Sequence, residues 1–386
     1  MSNKKISQIV SNVKKIIGKK SKNLHEPLFD GKEFKYLKNC ITTSFVSSVG
    51  EYVNLFEKKL KQITKTKYAI AIINGTSALH LILRCIGVTK NDEVLVPSLT
   101  FVATANAVVY CDAQPHFIDV ERDNFGICPK KLEEYLKKIV IKKNTYSINK
   151  KTGKKIKALI AVHVFGMPCK ILEINKICKK YNIKVVEDAA EALGSYFNKK
   201  HLGTFSLAGM ISFNGNKTIT SGNGAIVLTN NMQLAKKIKH YSTTAKKTHK
   251  WEYDHDSIGY NYRLSNINAA VGCAQIENLK KILISKKRNF LKYSKIFKDL
   301  KDIEIKCEPS NSSSNYWLIS LIIKNKNIKK NNLLNSFHKS KIKCRPVWKP
   351  LHQLKMFRKC QQDNCSNSIK VYSNTINLPS SPELSY

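Results

Sequence analysis

The chain has 386 residues, and its 67 lysines and arginines against 27 acidic residues give a formal net charge of +40 at pH 7. A single core seldom grows beyond about 250 to 300 residues, so this length predicts two lobes. No run of about 18 apolar residues is present, which argues against a membrane span. The eleven cysteines form no Cys-x-x-Cys pair and no His/Cys cluster of zinc spacing, so we expect free thiols in a reducing cytoplasm and no metal site.

The positive charge has two interpretations. An excess of this size is typical of proteins that bind nucleic acid or anionic membranes. Only six of the 67 basic residues are arginine, however, and nucleic-acid readers favour the planar, bidentate guanidinium. We therefore interpret the charge as solvated surface lysine and predict no specific nucleic-acid partner. A basic binding protein without turnover is the alternative of a different class.

Residues 1–23 contain no acidic residue and place apolar side chains such as Ile6, Ile9, Val13 and Ile17 at helical spacing. A basic amphipathic helix of this kind suits a targeting peptide or a membrane surface. The segment lacks the Arg and Ser richness of organelle presequences and the apolar centre of a secretory signal. We therefore favour an arm that packs on a neighbouring lobe or subunit.

Between residues 68 and 274, short apolar strand candidates alternate with helical segments. This pattern predicts an α/β fold with a mostly parallel sheet and helices on both faces. Ligands of such sheets bind at the carboxyl ends of the strands. The strand ends of this chain carry Gly75, Pro97, His163, Asp188 and residues 212–217.

The first strand end has the features of an anion site. The apolar run of residues 68–73 stops at Asn74 and Gly75, and Thr76 and Ser77 then open a helical pattern. Unpaired N–H groups and the helix dipole both favour an anion such as phosphate at such a turn. The alternative is plain N-capping of the helix by Thr76 or Ser77.

Two later strand ends supply a carboxylate and an amine. Residues 185–187 lead into Asp188, and residues 212–216 lead into Lys217. A pyridoxal 5′-phosphate enzyme needs this pair, because an amine holds the cofactor as a Schiff base and a carboxylate keeps its pyridine nitrogen protonated. Each segment alone is weak evidence, whereas all three strand ends together favour that cofactor.

With further landmarks in the same order, the sequence resembles the DegT/StrS family of nucleotide-sugar aminotransferases, and most of all its LegC-like branch. The landmarks are residues 24–27, 45–50, 97–106, 259–263 and 345–352. The resemblance implies the type I fold of pyridoxal-phosphate-dependent aminotransferases. We accordingly expect an N-terminal arm with part of the small domain at residues 1–64, a large cofactor-binding domain at 65–280 and a smaller α/β domain at 281–386.

The resemblance also implies roles for single residues. Lys217 is expected to form the Schiff base and to move the proton between the amino-acid Cα and the cofactor, and Asp188 to hold the pyridinium N–H. Glu191 stands where many relatives carry a Gln near the phenolic oxygen. The other expected cofactor contacts are Phe101 on the ring, Thr76, Ser77 and Ser212 at the phosphate, and Asn261 from the partner subunit of a homodimer.

Substrate contacts are less specific in the sequence. The basic, aromatic segment of residues 345–352 suits contacts from Arg345, Trp348 and His352 to a nucleotide diphosphate and a stacked base. Ser48 lies in a loop with small hydroxyls that suits a contact to the sugar, and His163 is the remaining substrate-binding candidate. For His163, a satisfied core histidine is an equal alternative because its neighbours are apolar. For Ser48, an ordinary turn is the alternative.

The resemblance implies transfer of an amino group, from glutamate, to C4 of a nucleotide-linked 4-keto-6-deoxy sugar. We expect a UDP-linked sugar of the N-acetylhexosamine type, used for surface polysaccharide or nonulosonic acid. A dehydratase variant of the family replaces the Schiff-base lysine with His. The presence of Lys217 favours amination over dehydration.

Overall fold

The computed structural model describes residues 2–18 and 23–385. Its α-helices are α1 (Ser2–Ile17), α2 (Lys32–Thr42), α3 (Glu51–Thr64), α4 (Gly75–Cys85), α5 (Val102–Val109), α6 (Pro129–Ile139), α7 (Ile171–Lys180), α8 (Met232–Ser242), α9 (Asn266–Glu277), α10 (Leu279–Phe297), α11 (Lys330–Lys339) and α12 (Ser366–Asn374). Its strands are β1 (Tyr68–Ile72), β2 (Asp92–Pro97), β3 (Gln114–Ile118), β4 (Val140–Lys142), β5 (Ser147–Asn149), β6 (Lys155–Val162), β7 (Lys184–Asp188), β8 (Tyr196–Phe197), β9 (Lys200–His201), β10 (Ala208–Ser212), β11 (Ala225–Thr229), β12 (Ile303–Ile305), β13 (Ser312–Ser313), β14 (Ile319–Ile323), β15 (Arg345–Pro346) and β16 (Thr375–Leu378).

The larger lobe is built on a nine-stranded sheet with the order β1-β11-β10-β7-β6-β2-β3, and β4 and β5 extend it beside β6. The neighbours from β10 to β3 are parallel, whereas β11 is antiparallel to both β10 and β1. This arrangement confirms the predicted α/β fold with a mainly parallel sheet.

Helices cover both faces of this sheet because its central strands are apolar on both sides. In β6, Ile160 packs in one cluster with α4, α5 and α8, whereas Leu159 packs in another with α6 and α7. Under the β1 side of the sheet, α3 and α9 fill a third cluster, in which Phe56 meets Phe213 edge to face. The central strands of the sheet are therefore buried on both faces, and the accessible part of these strands is at their ends.

The smaller lobe contains the antiparallel sheet β12-β14-β16-β15 with α10 and α11 against it. Helix α1 packs on this lobe through Ile9 and Val13, which join the cluster of Phe290 and Phe337. The predicted arm therefore lies on a lobe of its own chain, although residues 1 and 19–22 of that segment are outside the described residues.

Helices α2 and α3 pack against α9 of the larger lobe rather than beside α1. The domain boundaries at 64/65 and 280/281 stay a prediction. Within residues 2–18 and 23–385, no helix is long and apolar enough to cross a membrane.

Candidate active site

A cavity of about 630 Å³ opens at the carboxyl edge of the larger sheet. The ends of β1, β6, β7 and β10 meet there because the parallel strands point the same way. It brings together nine of the predicted site residues, Thr76, Ser77, Phe101, His163, Asp188, Glu191, Ser212, Lys217 and Trp348.

Asp188 is the last residue of β7 and is 6% exposed. Thr104 donates its hydroxyl to Oδ2 at 2.8 Å, and the backbone N–H of Ala190 donates to Oδ1 at 3.1 Å. Burial raises the pKa of Asp188, against the opposing effect of these two hydrogen bonds. A buried carboxylate of this kind favours a positively charged partner, and each oxygen keeps lone-pair capacity for a ring N–H.

Lys217 lies in the turn that follows β10. Its Nζ is 3.2 Å from Oε1 of Glu191 and 4.1 Å from the ring centre of Trp317. The turn is closed by a hydrogen bond from the Lys217 backbone N–H to the Asn214 carbonyl at 2.9 Å. The amine therefore has one carboxylate and one aromatic face as neighbours at the cavity wall.

Glu191 is 6% exposed, and burial raises its pKa. Its Oε2 accepts the backbone N–H of Phe165 at 2.8 Å. Phe165 has φ 56° and ψ 23°, in the left-handed region that a non-glycine residue seldom occupies. One carboxylate thus contacts both Lys217 and a strained turn, and its expected contact with a phenolic oxygen stays a prediction.

At the expected anion site, the residue that caps helix α4 differs from the two candidates of the sequence analysis. Asn74, rather than Thr76 or Ser77, is the N-cap of α4, and its side chain accepts the Ser77 backbone N–H at 2.8 Å. The hydroxyl residues are thereby left to line the cavity with Ser212. A Cβ on Gly75 would lie 3.4 Å from that of Ser212, so the helix start lies close to β10. This arrangement fits a bound phosphate.

The aromatic side of the cavity includes residues that the sequence analysis missed. Trp348 lies 4.6 Å from Phe165 and 6.3 Å from Phe101 between ring centres, and Phe165 lies 6.2 Å from Trp317. Trp317 and Phe165 belong to apolar stretches that carry no motif, so the sequence gives no signal for either. Thr104 was likewise not singled out.

His163 lines the cavity, but both of its ring nitrogens have partners. Nε2 is 2.9 Å from Oε2 of Glu187, and Nδ1 accepts the Cys169 backbone N–H at 3.3 Å. Burial disfavours its charged form, whereas Cys169 and Glu187 act in the opposite direction and raise the pKa of His163. A contact to substrate stays a prediction for this residue.

Four other predicted site residues, all in the described part of the chain, do not line the cavity. Ser48 is half-buried just before α3, and Arg345 is exposed on β15. His352 lies with Nδ1 2.6 Å from the Ser98 hydroxyl. Asn261 is exposed and pairs with Thr243, so its expected contribution to a partner's cavity is untested within one chain.

The residues present fit pyridoxal phosphate. The buried Asp188 carboxylate suits a protonated ring nitrogen, the start of α4 suits a phosphate, and Lys217 supplies the amine. Fold and donor set together define the class, a pyridoxal-phosphate-dependent enzyme of the type I aminotransferase fold.

Comparison with known proteins identifies the family within this class. The model of the DegT/DnrJ/EryC1/StrS aminotransferase family matches residues 27–386. The chain belongs to this family, and its similar proteins are named sugar aminotransferases, enzymes that in this family depend on pyridoxal phosphate. The predicted family, enzyme class and cofactor are thereby confirmed, whereas the LegC-like branch stays a prediction.

Three similar proteins illustrate the family. The chain is 34% identical over 94% of both chains to a GDP-perosamine synthase of Vibrio cholerae. It is 31% identical to a UDP-4-amino-4,6-dideoxy-N-acetyl-beta-L-altrosamine transaminase of Campylobacter jejuni, over 91% of this chain and 89% of that one. Among solved structures, Helicobacter pylori PseC, an aminotransferase involved in the biosynthesis of pseudoaminic acid, matches with a TM-score of 0.82 and 26% identity over 93% of this chain and 94% of that chain.

Proposed function

We propose that this chain transfers an amino group from glutamate to C4 of a nucleotide-linked 4-keto-6-deoxy sugar. The observation that carries the proposal is the convergence of Lys217, Asp188 and the start of α4 on one cavity. Over the full reaction, glutamate is converted to 2-oxoglutarate and the ketone at C4 of the sugar is converted to an amine. The bound cofactor supplies an electron sink and carries the amino group between the two half-reactions.

Each residue then has a defined task. Asp188 holds the proton on the pyridine nitrogen, with its own oxygens oriented by Thr104 and Ala190. Lys217 would hold the cofactor in the resting enzyme, and its Nζ would move the proton released from Cα of glutamate to the cofactor. Glu191, 3.2 Å from that Nζ, orients the amine. The hydroxyl residues at the start of α4 and Ser212 anchor the phosphate.

The nucleotide has two candidates. The sequence analysis favours a UDP-linked N-acetylhexosamine, and the name of the Campylobacter jejuni relative supports it. The names of the Vibrio cholerae relative and of one from Escherichia coli O157:H7, 35% identical over 94% of both chains, refer to a GDP-linked product instead. Amination at C4 is common to both versions of the proposal, and use in surface polysaccharide or nonulosonic acid synthesis is part of the UDP version.

The proposed assembly is a homodimer in which Asn261 reaches the partner's cavity. Asn261 is exposed, and the same loop exposes Trp251, Tyr253 and Ile258 by 70%, 82% and 89%. Large apolar side chains exposed together favour an interface. A reducing cytoplasm is the proposed location, supported by the eleven free cysteines of the described residues.

The test supplies purified holoenzyme with glutamate and either a UDP-linked or a GDP-linked 4-keto-6-deoxy sugar, and mass spectrometry measures the products. We expect the mass of an amino sugar and of 2-oxoglutarate in equal amounts, with one nucleotide strongly preferred. Formation of 2-oxoglutarate without any aminated sugar would contradict the sugar assignment. A deoxygenated product would favour the dehydratase instead.

A further inference from the structure

Residues 315–317 of the smaller lobe reach the cavity beside Lys217. Trp317 is 5% exposed and lines the cavity. Its ring centre lies 4.1 Å from Nζ of Lys217, and its indole N–H donates to the Asn216 carbonyl at 2.7 Å. The Trp317 side chain therefore contacts the amine of Lys217 and also fixes the backbone of Asn216, the residue before that lysine.

Asn315 fixes the orientation of Trp317 from the side of the larger lobe. Its Nδ2 donates to the carbonyls of Glu191 and Leu193, both at 2.8 Å, and its Oδ1 accepts the Trp317 backbone N–H at 2.9 Å. Asn315 is 2% exposed, so water does not compete for these hydrogen bonds. The Trp317 backbone is thus tied to the segment that carries Glu191.

Lys286, a buried lysine of α10, binds the backbone carbonyl of Trp317. Nζ of Lys286 donates to the carbonyls of Trp317 at 3.2 Å and Ser380 at 2.8 Å, and the residue is fully buried. Burial lowers the pKa of Lys286 well below its usual value. Trp317 is therefore held at three points, its indole N–H, its backbone N–H and its backbone carbonyl, which leaves its ring little freedom to move away from the lysine.

We propose that Trp317 is a positioning residue for Lys217. Its indole N–H holds the turn that carries the lysine, and its ring face holds the nitrogen of that lysine at the cavity wall. An aromatic face attracts a positive nitrogen, and the attraction is stronger where water is excluded. The other titratable groups that act on Lys217 are Asp188, Glu191 and His25. The inference rests on the proposed role of Lys217 as the cofactor-bearing residue.

The test compares Trp317→Leu, which removes the ring, with Trp317→Phe, which keeps an aromatic face but loses the N–H donor. In each holoenzyme the visible absorbance of the lysine-linked cofactor is titrated with pH, and the dissociation constant of the cofactor is measured. We expect Trp317→Leu to lower the titration midpoint by about one pH unit and to weaken cofactor binding about 10-fold. Trp317→Phe should fall between it and the wild type. Phe34→Leu is the matched control, because that aromatic ring is 78% exposed and lies on α2.

Unchanged midpoints in both Trp317 variants would overturn the proposal, even if both proteins melted at lower temperature, because packing alone would then explain the loss. Trp317→Phe decides the question by itself if Trp317→Leu does not fold. Failure of the Lys217 assignment is distinguishable, because borohydride would then fix no cofactor to that lysine in the wild type.

Discussion

Phe165 donates its backbone N–H to Oε2 of Glu191 at 2.8 Å while its own φ of 56° lies in the left-handed region. The other oxygen of Glu191 is 3.2 Å from Nζ of Lys217. Strained backbone persists only where surrounding contacts hold it, and such strain clusters at functional sites. The carboxylate therefore links a strained turn to the amine that we propose carries the cofactor.

This link predicts different effects for two Glu191 variants. Glu191→Gln keeps an oxygen for the Phe165 N–H, whereas Glu191→Leu leaves that buried N–H without its acceptor. An unsatisfied buried donor costs about 1–3 kcal/mol. We expect denaturant unfolding to show the Leu variant less stable than the Gln variant by about that amount. Equal stability of the two would show that the Phe165 turn does not depend on the carboxylate.

Lys217→Ala should abolish amination and leave no cofactor that borohydride can fix to the chain, because no other group at that position supplies the amine. The measurement combines turnover with mass spectrometry of the reduced protein. Lys326→Ala, in an exposed turn of the smaller lobe, is the control and should behave as the wild type. Normal activity in Lys217→Ala would show that the lysine assignment is wrong.

Asp188→Asn keeps the shape of the side chain and an oxygen for the Ala190 N–H, but it removes the negative charge and replaces the oxygen that accepts the Thr104 hydroxyl with an N–H donor. A neutral amide does not stabilise a protonated ring nitrogen, so the electron sink is weakened. We expect cofactor still to bind while single-turnover rates fall by about 10³-fold or more. An unchanged rate with cofactor bound would remove Asp188 from the mechanism.

His201 should make the stability depend on pH. It is buried, Nε2 accepts the Gly194 N–H at 2.9 Å, and burial lowers the pKa of His201 to about 4. Between that value and about 6.5, the unfolded chain binds a proton that the folded chain excludes. Stability present above pH 6.5 is therefore lost as pH falls toward 4, by up to about 3 kcal/mol from this residue.

Unfolding of His201→Gln at several pH values measures this contribution. The variant should lose less stability than the wild type between pH 6.5 and 4. His249→Gln is the control, because its side chain is 40% exposed. A variant with the same pH slope as the wild type would show that His201 does not carry the dependence.

The sequence predicted the parts of the site that lie in continuous strand-and-turn segments. Asp188 ends a buried strand, and Gly75 and Lys217 lie in the turns that follow two others, so the apolar runs place all three at one edge of the sheet. The ring of Trp317 was not predictable in this way. Its position depends on Asn315 and Lys286, which are distant from Lys217 in sequence and form no local pattern. The alternative in which Thr76 or Ser77 caps α4 was wrong for a local reason. Asn74 is an equally good capping residue that precedes both, and its side chain accepts the Ser77 N–H.

The last prediction concerns the net charge of +40, for which the two classes of function differ most. A nucleic-acid footprint would give substantial binding that falls steeply with salt, with a slope set by the phosphates neutralised. Dispersed surface lysine should instead give weak, non-specific binding that is nearly gone at about 0.15 M salt, where the Debye length is about 8 Å. Amination should be largely unchanged by that salt, because the substrate binds through a few groups in one cavity.

Fluorescence titration of duplex and single-stranded nucleic acid, beside the amination assay in the same buffers, measures both the nucleic-acid binding and the amination. Tight, sequence-selective binding at 0.15 M salt with no amination of either keto sugar would favour the basic binding protein over the enzyme.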